Sequence, residues 1–566
     1  MVKSIKMSFL KKNKTIILLL LILFVAVFFR VWHLDSAPPG LYPDEAMNAN
    51  NALESLNDNQ FKLFYPENNG REGLYIWFVA FIFKIFGPSV WSFRLASAVL
   101  GILTIPALYL LTKELFHPFP RHREDSSPHS CHRERPLGAR QSRFISIQYF
   151  NEKIALLSAF FLSISFWHVN FSRIGFRAIL VPLLMCFSFY FLLRAFRKNN
   201  LPNYILAGIF FGLGFYSYIA FRAAAIFLGI VLLARMISYW QKRRPISINW
   251  PNLWNKIYLK DGWWKVDVFL IIILLVALPM GFYFLQNPQD LTGRTGGVSV
   301  FSAEQPLIEL GKSAVKVFFM FNVFGDWNWW HNYAGSPMLA WPIGILFILG
   351  IISAVKKLFL PEKERSIFLL SWFAIMLLPA VLTYEGMPHA LRAIGIIPVV
   401  CILSSLGYCR LSEKISSMKI KGVKYFAAFL LIFIILYPGL KNFNKYFFDW
   451  AKRPETASAF SYDYVKIGQY LNTLPAQVKK YVIVNEKGTP YYGLSIAAQT
   501  PIFIESAEFG QPRAIYLPWQ EIGQIEISPH KTVILTLHNH YSLEEIQKIF
   551  PQGKISQDEP ERLEIE

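Results

Sequence analysis

Charge is scarce in this chain. Of 566 residues only 17% are charged, while 54% are apolar and 16% aromatic. Soluble domains carry roughly 25% charge. A soluble globule of this length could not hide so much apolar surface, so the solvent that fits is a lipid bilayer. Acidic residues are especially few: 37 Asp and Glu against 57 Lys and Arg give a formal net charge of +20. That excess does not mark a nucleic-acid binder. The cations cluster in short loops between apolar runs, as in cytoplasmic loops beside anionic lipid. Cysteine is rare too. Cys131 lies in a basic loop, Cys186 and Cys401 in apolar runs, and Cys409 beside a basic segment, so no extracellular disulfide is expected. The N-terminus lacks a small-x-small cleavage site. Lys3, Lys6, Lys11, Lys12 and Lys14 lead into the apolar stretch Ile16 to Phe29, which reads as an uncleaved first membrane helix.

Apolar runs of near-spanning length predict about eleven transmembrane helices, with cores near 16–32, 90–112, 153–169, 177–194, 202–219, 222–240, 266–285, 340–356, 366–384, 390–408 and 424–440. The run 73–86 is shorter. As a helix it would rise about 21 Å, below the roughly 30 Å hydrocarbon core, so it is expected at the membrane interface. With the Lys-rich N-terminus inside, every densely basic short loop also falls inside, including Arg194, Arg197 and Lys198, then Lys356, Lys357, Lys363 and Arg365. The expectation is a multi-pass plasma-membrane protein with a cytoplasmic N-terminus. Its outer loops are about 33–89 and 286–339. A membrane domain, 1–440, precedes an extracytoplasmic α/β domain, 441–566. In that tail Tyr481 to Val484, Pro501 to Glu505 and Thr532 to Leu537 read as strands, and Ser542-Leu-Glu-Glu as a helix cap. The tail carries no catalytic signature. The inner loop 117–143 holds His117, His122, His129, Cys131 and His132, but their spacing matches no zinc pattern and the segment reads as a disordered basic insertion.

Chemistry gathers elsewhere. Tyr42-Pro43-Asp44-Glu45 puts two carboxylates just past the first helix, and Arg71-Glu72-Gly73-Leu74-Tyr75 adds a third at the start of the interfacial run. Either could be an ordinary acidic helix start. Together they place three carboxylates on one outer loop. Four segments then repeat an aromatic or Leu, an Arg and a small or apolar residue: Phe93-Arg94-Leu95, Phe176-Arg177-Ala178, Phe221-Arg222-Ala223 and Leu391-Arg392-Ala393. All four arginines fall at outer helix ends, against the usual charge bias. A guanidinium beside a helix N-terminus is a good phosphate clamp, although snorkelling or pairing with the acidic residues would also explain each one. His168 and Arg173, Tyr218, and His389 flank three of these segments, and His331 sits in the aromatic run Asp326 to Tyr333. These residues, with Arg71 and Tyr75, are candidate substrate contacts.

Asp44-Glu45 after the first helix, Glu72 opening the interfacial segment, many passes and large outer loops resemble the GT-C superfamily of membrane glycosyltransferases. The likeness is to its family-39-like group of dolichyl-phosphate-mannose protein mannosyltransferases and bacterial aminoarabinose transferases of lipid A. It covers roughly residues 10–410. It implies inverting transfer of a monosaccharide from a polyprenyl-phosphate donor to a lipid, protein or glycan acceptor. It gives Asp44 the role of base or acceptor-positioning group; an acceptor hydroxyl that must lose its proton as it attacks favours the base, with Glu45 and Glu72 supporting. It implies no fixed cofactor: some relatives bind a divalent metal and others work without one. Gly73-Leu74 stands where the aminoarabinose transferases have Lys-Pro after their Glu. A transporter or flippase of lipid-linked sugars would place polar residues near the midplane, and the charges here lie mostly at helix ends. An oligosaccharide ligase or polymerase is the main alternative within the enzymes.

Overall fold

The computed structural model describes residues 2–117, 137–242, 262–360, 363–486, 488–537 and 543–565. Each of the eleven expected positions holds a helix. Nine of these, among the described residues, are long and apolar enough to cross a membrane: Asn13–Val31, Val90–Leu115, Arg177–Lys198, Ile219–Gln241, Trp264–Gln286, Trp341–Leu358, Glu364–Val381, Ile394–Ser416 and Lys421–Lys452. Leu137–Ile164 and the shorter Leu201–Gly214 occupy the other two positions. The protein is a multi-pass membrane protein.

Burial sorts these helices. The spans at Arg177–Lys198 and Ile394–Ser416 are mostly enclosed by others, while Asn13–Val31, Trp264–Gln286 and Lys421–Lys452 turn most of their apolar side chains outward, where lipid would meet them. The helices Trp341–Leu358 and Ile397–Ser416 approach closely because each offers a glycine to the other's backbone. A Cβ on Gly350 would stand 1.9 Å from the Leu403 carbonyl oxygen, and one on Gly407 would stand 1.9 Å from that of Leu346.

The long loops and the tail gather at one end of the bundle. There α1 (Val2–Val31) is followed by a coil, then α2 (Pro43–Asn57), a two-residue hairpin of β1 (Phe64–Tyr65) with β2 (Arg71–Glu72), and α3 (Leu74–Phe86). Pro43 opens α2 at its first turn, where no amide hydrogen is needed. The apolar run 73–86 is indeed a short helix, and it packs between α2 and α4 (Val90–Leu115).

The tail contains a five-stranded sheet in the order β6-β3-β7-β9-β8. Here β3 is Lys479–Val484, β6 Ile515–Pro518, β7 Thr532–Leu537, β8 Lys554–Ser556 and β9 Arg562–Ile565, while β4 (Pro490–Tyr491) and β5 (Leu494–Ser495) pair as a separate hairpin. β3 runs parallel to β6 and β7, and β9 antiparallel to β7 and β8. Two of the three expected strands are present. The third, Pro501 to Glu505, is instead part of a helix, Gln499–Phe509. A five-residue apolar run does not fix its own period, and packing decides it. The helix packs on α2 and buries Phe503, which stacks on Phe83 of α3 with ring centroids 6.0 Å apart. Asn50 of α2 donates to the Gln499 carbonyl at 3.0 Å, and the Thr500 hydroxyl donates to the Leu41 carbonyl at 2.9 Å, so the tail is bolted to the first loop. The helix-cap reading at Ser542 and most of the 117–143 loop lie outside the described residues.

Candidate functional site

A cleft at the loop end is lined by Asp44, Asn48, Asn68, Asn69, Arg71, Phe176, Arg177, Ala178, Tyr218, Trp330 and Leu391. Asp44 is half-buried at the second position of α2, and its Oδ1 accepts from Asn68 Nδ2 at 2.7 Å. Local sequence explains why Asn68 reaches it. Asn68, Asn69 and Gly70 take left-handed φ values of 51°, 64° and 81° in succession. Asn and Gly are the residues that accept this conformation most readily. A Cβ on Gly70 would also meet the Phe64 ring at 2.5 Å. The turn aims Asn68 at Asp44 and offers the Gly70 carbonyl to Arg177, which donates to it from Nη2 at 3.0 Å.

Two guanidinium groups share this cleft. Arg177 donates from Nε to Glu72 Oε2 at 2.6 Å and lies over the Tyr218 ring at 5.4 Å. Arg71, only 2% exposed, donates from Nη1 to Asn48 Oδ1 at 3.0 Å, while its Nε and Nη2 are buried with no hydrogen-bond partner. Nε and Nη2 form the edge of a guanidinium that takes two oxygens of one anion side by side. Burial, and then the charge of Arg177, push the Arg71 pKa down to about 10, so it stays cationic at neutral pH. Trp330 forms the aromatic wall, stacking on Tyr42 at 4.9 Å and on Phe176 at 5.1 Å.

Solved structures share this architecture. ArnT from Cupriavidus metallidurans in the apo state matches at 11% identity over 98% of both chains, with a TM-score of 0.53. The same protein bound to undecaprenyl phosphate matches at 12% identity over 97% of both, with a TM-score of 0.50. The chain has the GT-C fold. An oligosaccharyltransferase from Archaeoglobus fulgidus, tethered to an acceptor peptide, matches at 14% identity over 90% of this GT-C chain, with a TM-score of 0.50. This chain spans 64% of that protein's length. The model of the dolichyl-phosphate-mannose-protein mannosyltransferase family matches residues 74–120 and 144–257. No curated protein matches the sequence.

The fold thus brings Asp44, Arg71, Arg177 and Tyr218 to one cleft, with Glu72 behind Arg177. The other candidates stand apart, each held by specific partners. Glu45 is fully buried. It accepts from the Gly175 amide at 2.6 Å and the Tyr42 amide at 3.3 Å, which ties α2 to the loop before Phe176. Burial raises its pKa, and the nearby Arg94 charge opposes that rise. Arg94 lies inside α4 rather than at its start. Its guanidinium donates to the Pro38 carbonyl at 2.8 Å, the Gly40 carbonyl at 2.6 Å and the Leu34 carbonyl at 3.3 Å. Arg173 likewise donates to the Phe29, His33 and Ala37 carbonyls. These two buried arginines hold the coil after α1 and offer no edge to the cleft. His168 is buried against Arg30 Nη2 at 2.8 Å, and Tyr75 shares a hydrogen bond with Ser97 at 2.7 Å. Arg222 donates to the Leu291 carbonyl at 3.0 Å and Arg392 to that of Glu385 at 3.0 Å, and neither lines the cleft. His331 sits behind Trp330, paired with Asp326 at 2.7 Å, and His389 lies beside it.

Sequence reasoning does not single out Asn48 or Asn68 as site residues, and it offers Trp330 only within the aromatic run Asp326 to Tyr333, whose rings could anchor at the interface or stack on a sugar. The Asn-Asn-Gly run was the available signal for the turn. The polar residues of α2 at Asn48, Asn50 and Asn51, all buried in the fold, were the signal for Asn48.

Proposed function

We propose that the chain is an inverting glycosyltransferase that moves a monosaccharide from a polyprenyl-phosphate donor to an acceptor hydroxyl or amine at the extracytoplasmic membrane face. The observation that carries this reading is the lining of one cleft by both the Asp44 carboxylate and the buried guanidinium groups of Arg71 and Arg177. Transfer breaks the bond between sugar C1 and the phosphate oxygen. The electron pair leaves with the phosphate, where negative charge grows. Arg71 offers its Nε and Nη2 edge, which makes no hydrogen bond within the protein and faces only Glu67 at 4.0 Å, to that phosphate, and Arg177 adds a second cation fixed by Glu72. The acceptor attacks C1 from the opposite side and gives its proton to Asp44 as general base, an effect worth roughly 10²- to 10⁴-fold in rate. The products are the inverted glycoside and the polyprenyl phosphate. No covalent enzyme intermediate is required.

Asn68 holds the Asp44 carboxylate, and Trp330 offers a flat face on which a sugar ring can stack. Arg94, Glu45 and Arg173 serve as positioning residues that build the loop carrying Asp44. The tail, taken as a unit from residue 441, buttresses α2 through Gln499 and Thr500. The undecaprenyl phosphate bound to ArnT, which has the same fold, supports a lipid-phosphate donor. Basic residues in the last turns of helices that run away from the cleft, Lys356 and Lys357 in one and Lys414 in another, support placing the cleft on the extracytoplasmic side.

The test incubates the detergent-purified chain with a panel of polyprenyl-phosphate monosaccharides and follows release of polyprenyl phosphate or sugar transfer. Turnover with at least one donor, lost in Asp44→Asn, is the expected result. A variant as fast as the wild type, or no turnover across the panel, overturns the reading.

A further inference from the structure

We propose that Asp326, His331 and His389 form a binding site for one divalent cation of the zinc class, which staples the loop carrying Trp330 to the segment carrying Leu391. This goes beyond the transfer reaction, because none of the three residues lines the cleft. One ligand atom from each lies within 4.8 Å of the other two, so that small side-chain shifts would bring all three onto one ion. Asp326 and His331 are each about 1% exposed and His389 is half-buried.

The donor set is already oriented. The Asp326 carboxylate accepts from the amide of Asn328 at 2.8 Å on one oxygen, and from the amide of Ala390 at 2.7 Å on the other. That second oxygen also meets His331 Nδ1 at 2.7 Å. The Asn332 side chain closes the turn on the Ser336 carbonyl at 2.7 Å. His389 lies alongside, its ring centroid 4.6 Å from that of His331. An ion at this cluster would be held by His331 through Nδ1, the ring nitrogen that faces Asp326. Among the described residues His331 is also the one cationic-capable group within ion-pair distance of the Asp326 carboxylate. A bound cation would balance that buried charge. Two imidazoles and one carboxylate suit Zn²⁺ better than Mg²⁺ or Ca²⁺, which prefer all-oxygen shells.

The ligands come from two separate segments. Trp330 precedes His331, and Leu391 follows His389 by two residues; both line the cleft. An ion there would set the position of the wall without touching the reacting atoms.

The test uses the full chain in detergent, stripped with a chelator and then given Zn²⁺ alone. Elemental analysis after desalting should find about one zinc per chain, with a rise in thermal unfolding temperature. His389→Gln, which removes the least buried ligand, should drop the zinc content to below about a tenth per chain while the helical circular dichroism is kept. His331→Gln should do the same, and if it does not fold, His389→Gln decides alone. Asp44→Asn should hold zinc as the wild type does, so failed sugar transfer and failed metal binding read out separately. No zinc on the wild type, or equal zinc on His389→Gln, overturns the site and leaves Asp326 and His331 as a plain hydrogen-bonded pair.

Discussion

Glu72 and Arg177 are joined through Oε2 and Nε at 2.6 Å, with side chains only 5% and 8% exposed. Glu72 belongs to β2 and Arg177 to the 3-10 turn (Arg177–Ile179) that opens the third long span, so the pair ties the first loop to the helix bundle. Removing one partner of a buried pair leaves an unbalanced charge, at a cost of about 3–5 kcal/mol. Glu72→Ala should therefore lower thermal stability markedly and weaken donor binding, because Arg177 is no longer held. Glu72→Gln keeps a carbonyl oxygen for Arg177 Nε and should lose less of both. Thermal unfolding in detergent, run beside a donor titration, checks the order.

Asp44 offers a cleaner separation of folding from chemistry. It is half-buried and hydrogen-bonded to Asn68, whereas its neighbour Glu45 is fully enclosed and anchors Gly175. Asp44→Asn should leave the unfolding free energy within about 1 kcal/mol of wild type, as expected of substitutions outside the core, while turnover falls by roughly 10²- to 10⁴-fold. Asn68→Ala should reduce turnover less, since it frees the carboxylate without removing it. Glu45→Ala should act the opposite way, through loss of folded protein. Single-turnover rates and unfolding curves on the three variants test the split.

The membrane architecture was legible because hydrophobic length is a local property. All eleven helix positions follow from apolar runs, and the short 73–86 helix follows from a run too brief to span. The arginines were a harder case. Phe93-Arg94-Leu95 and Phe176-Arg177-Ala178 look alike in sequence, yet Arg94 caps the coil after α1 through four backbone carbonyls and Arg177 reaches the cleft. The difference lies in what packs opposite each residue, which a local pattern does not encode. The same limit explains the tail. Lys479–Val484 and Thr532–Leu537 pair with neighbours and are strands, while Pro501 to Glu505, equally apolar, meets α2 and becomes helix.

Arg71 carries a pH prediction. Its guanidinium keeps Nε and Nη2 without hydrogen-bond partners, Nη2 standing 4.0 Å from Glu67 Oε2, and burial followed by the Arg177 charge lowers its pKa to about 10. For a cation with a lowered folded pKa, the protonated form is present below that value and is lost as pH rises through it. Phosphate binding through Arg71 should therefore be level from about pH 6 to about pH 9 and weaken only above it. Arg71→Lys starts from a lower reference value of about 10.4 and suffers the same burial, so its charge should be lost at a lower pH. It also lacks the two-pronged edge. Binding of the donor, a phosphodiester that keeps one negative charge across this range, should be flat in the wild type and falling in Arg71→Lys. A flat profile in both would remove Arg71 from the phosphate site.

The glycine pair between helices Trp341–Leu358 and Ile397–Ser416 gives the sharpest stability test. At Gly350 and at Gly407 an added Cβ meets a backbone carbonyl oxygen at 1.9 Å, and a backbone group cannot rotate aside as a side chain can. Relief would require the two helices to separate, which would open one of the most enclosed parts of the bundle. Gly350→Ala and Gly407→Ala should each destabilise by about 1–3 kcal/mol or more, the range for overpacking, despite the better helix propensity of alanine. Gly281, inside the helix Trp264–Gln286, has nothing within 4 Å of its built Cβ. Gly281→Ala should therefore be neutral or stabilising by up to about 1 kcal/mol. If all three variants unfolded alike in detergent, the close approach of the two helices would not be what holds them. The opposite signs expected here follow from backbone distance alone, because the substitution is the same at each position.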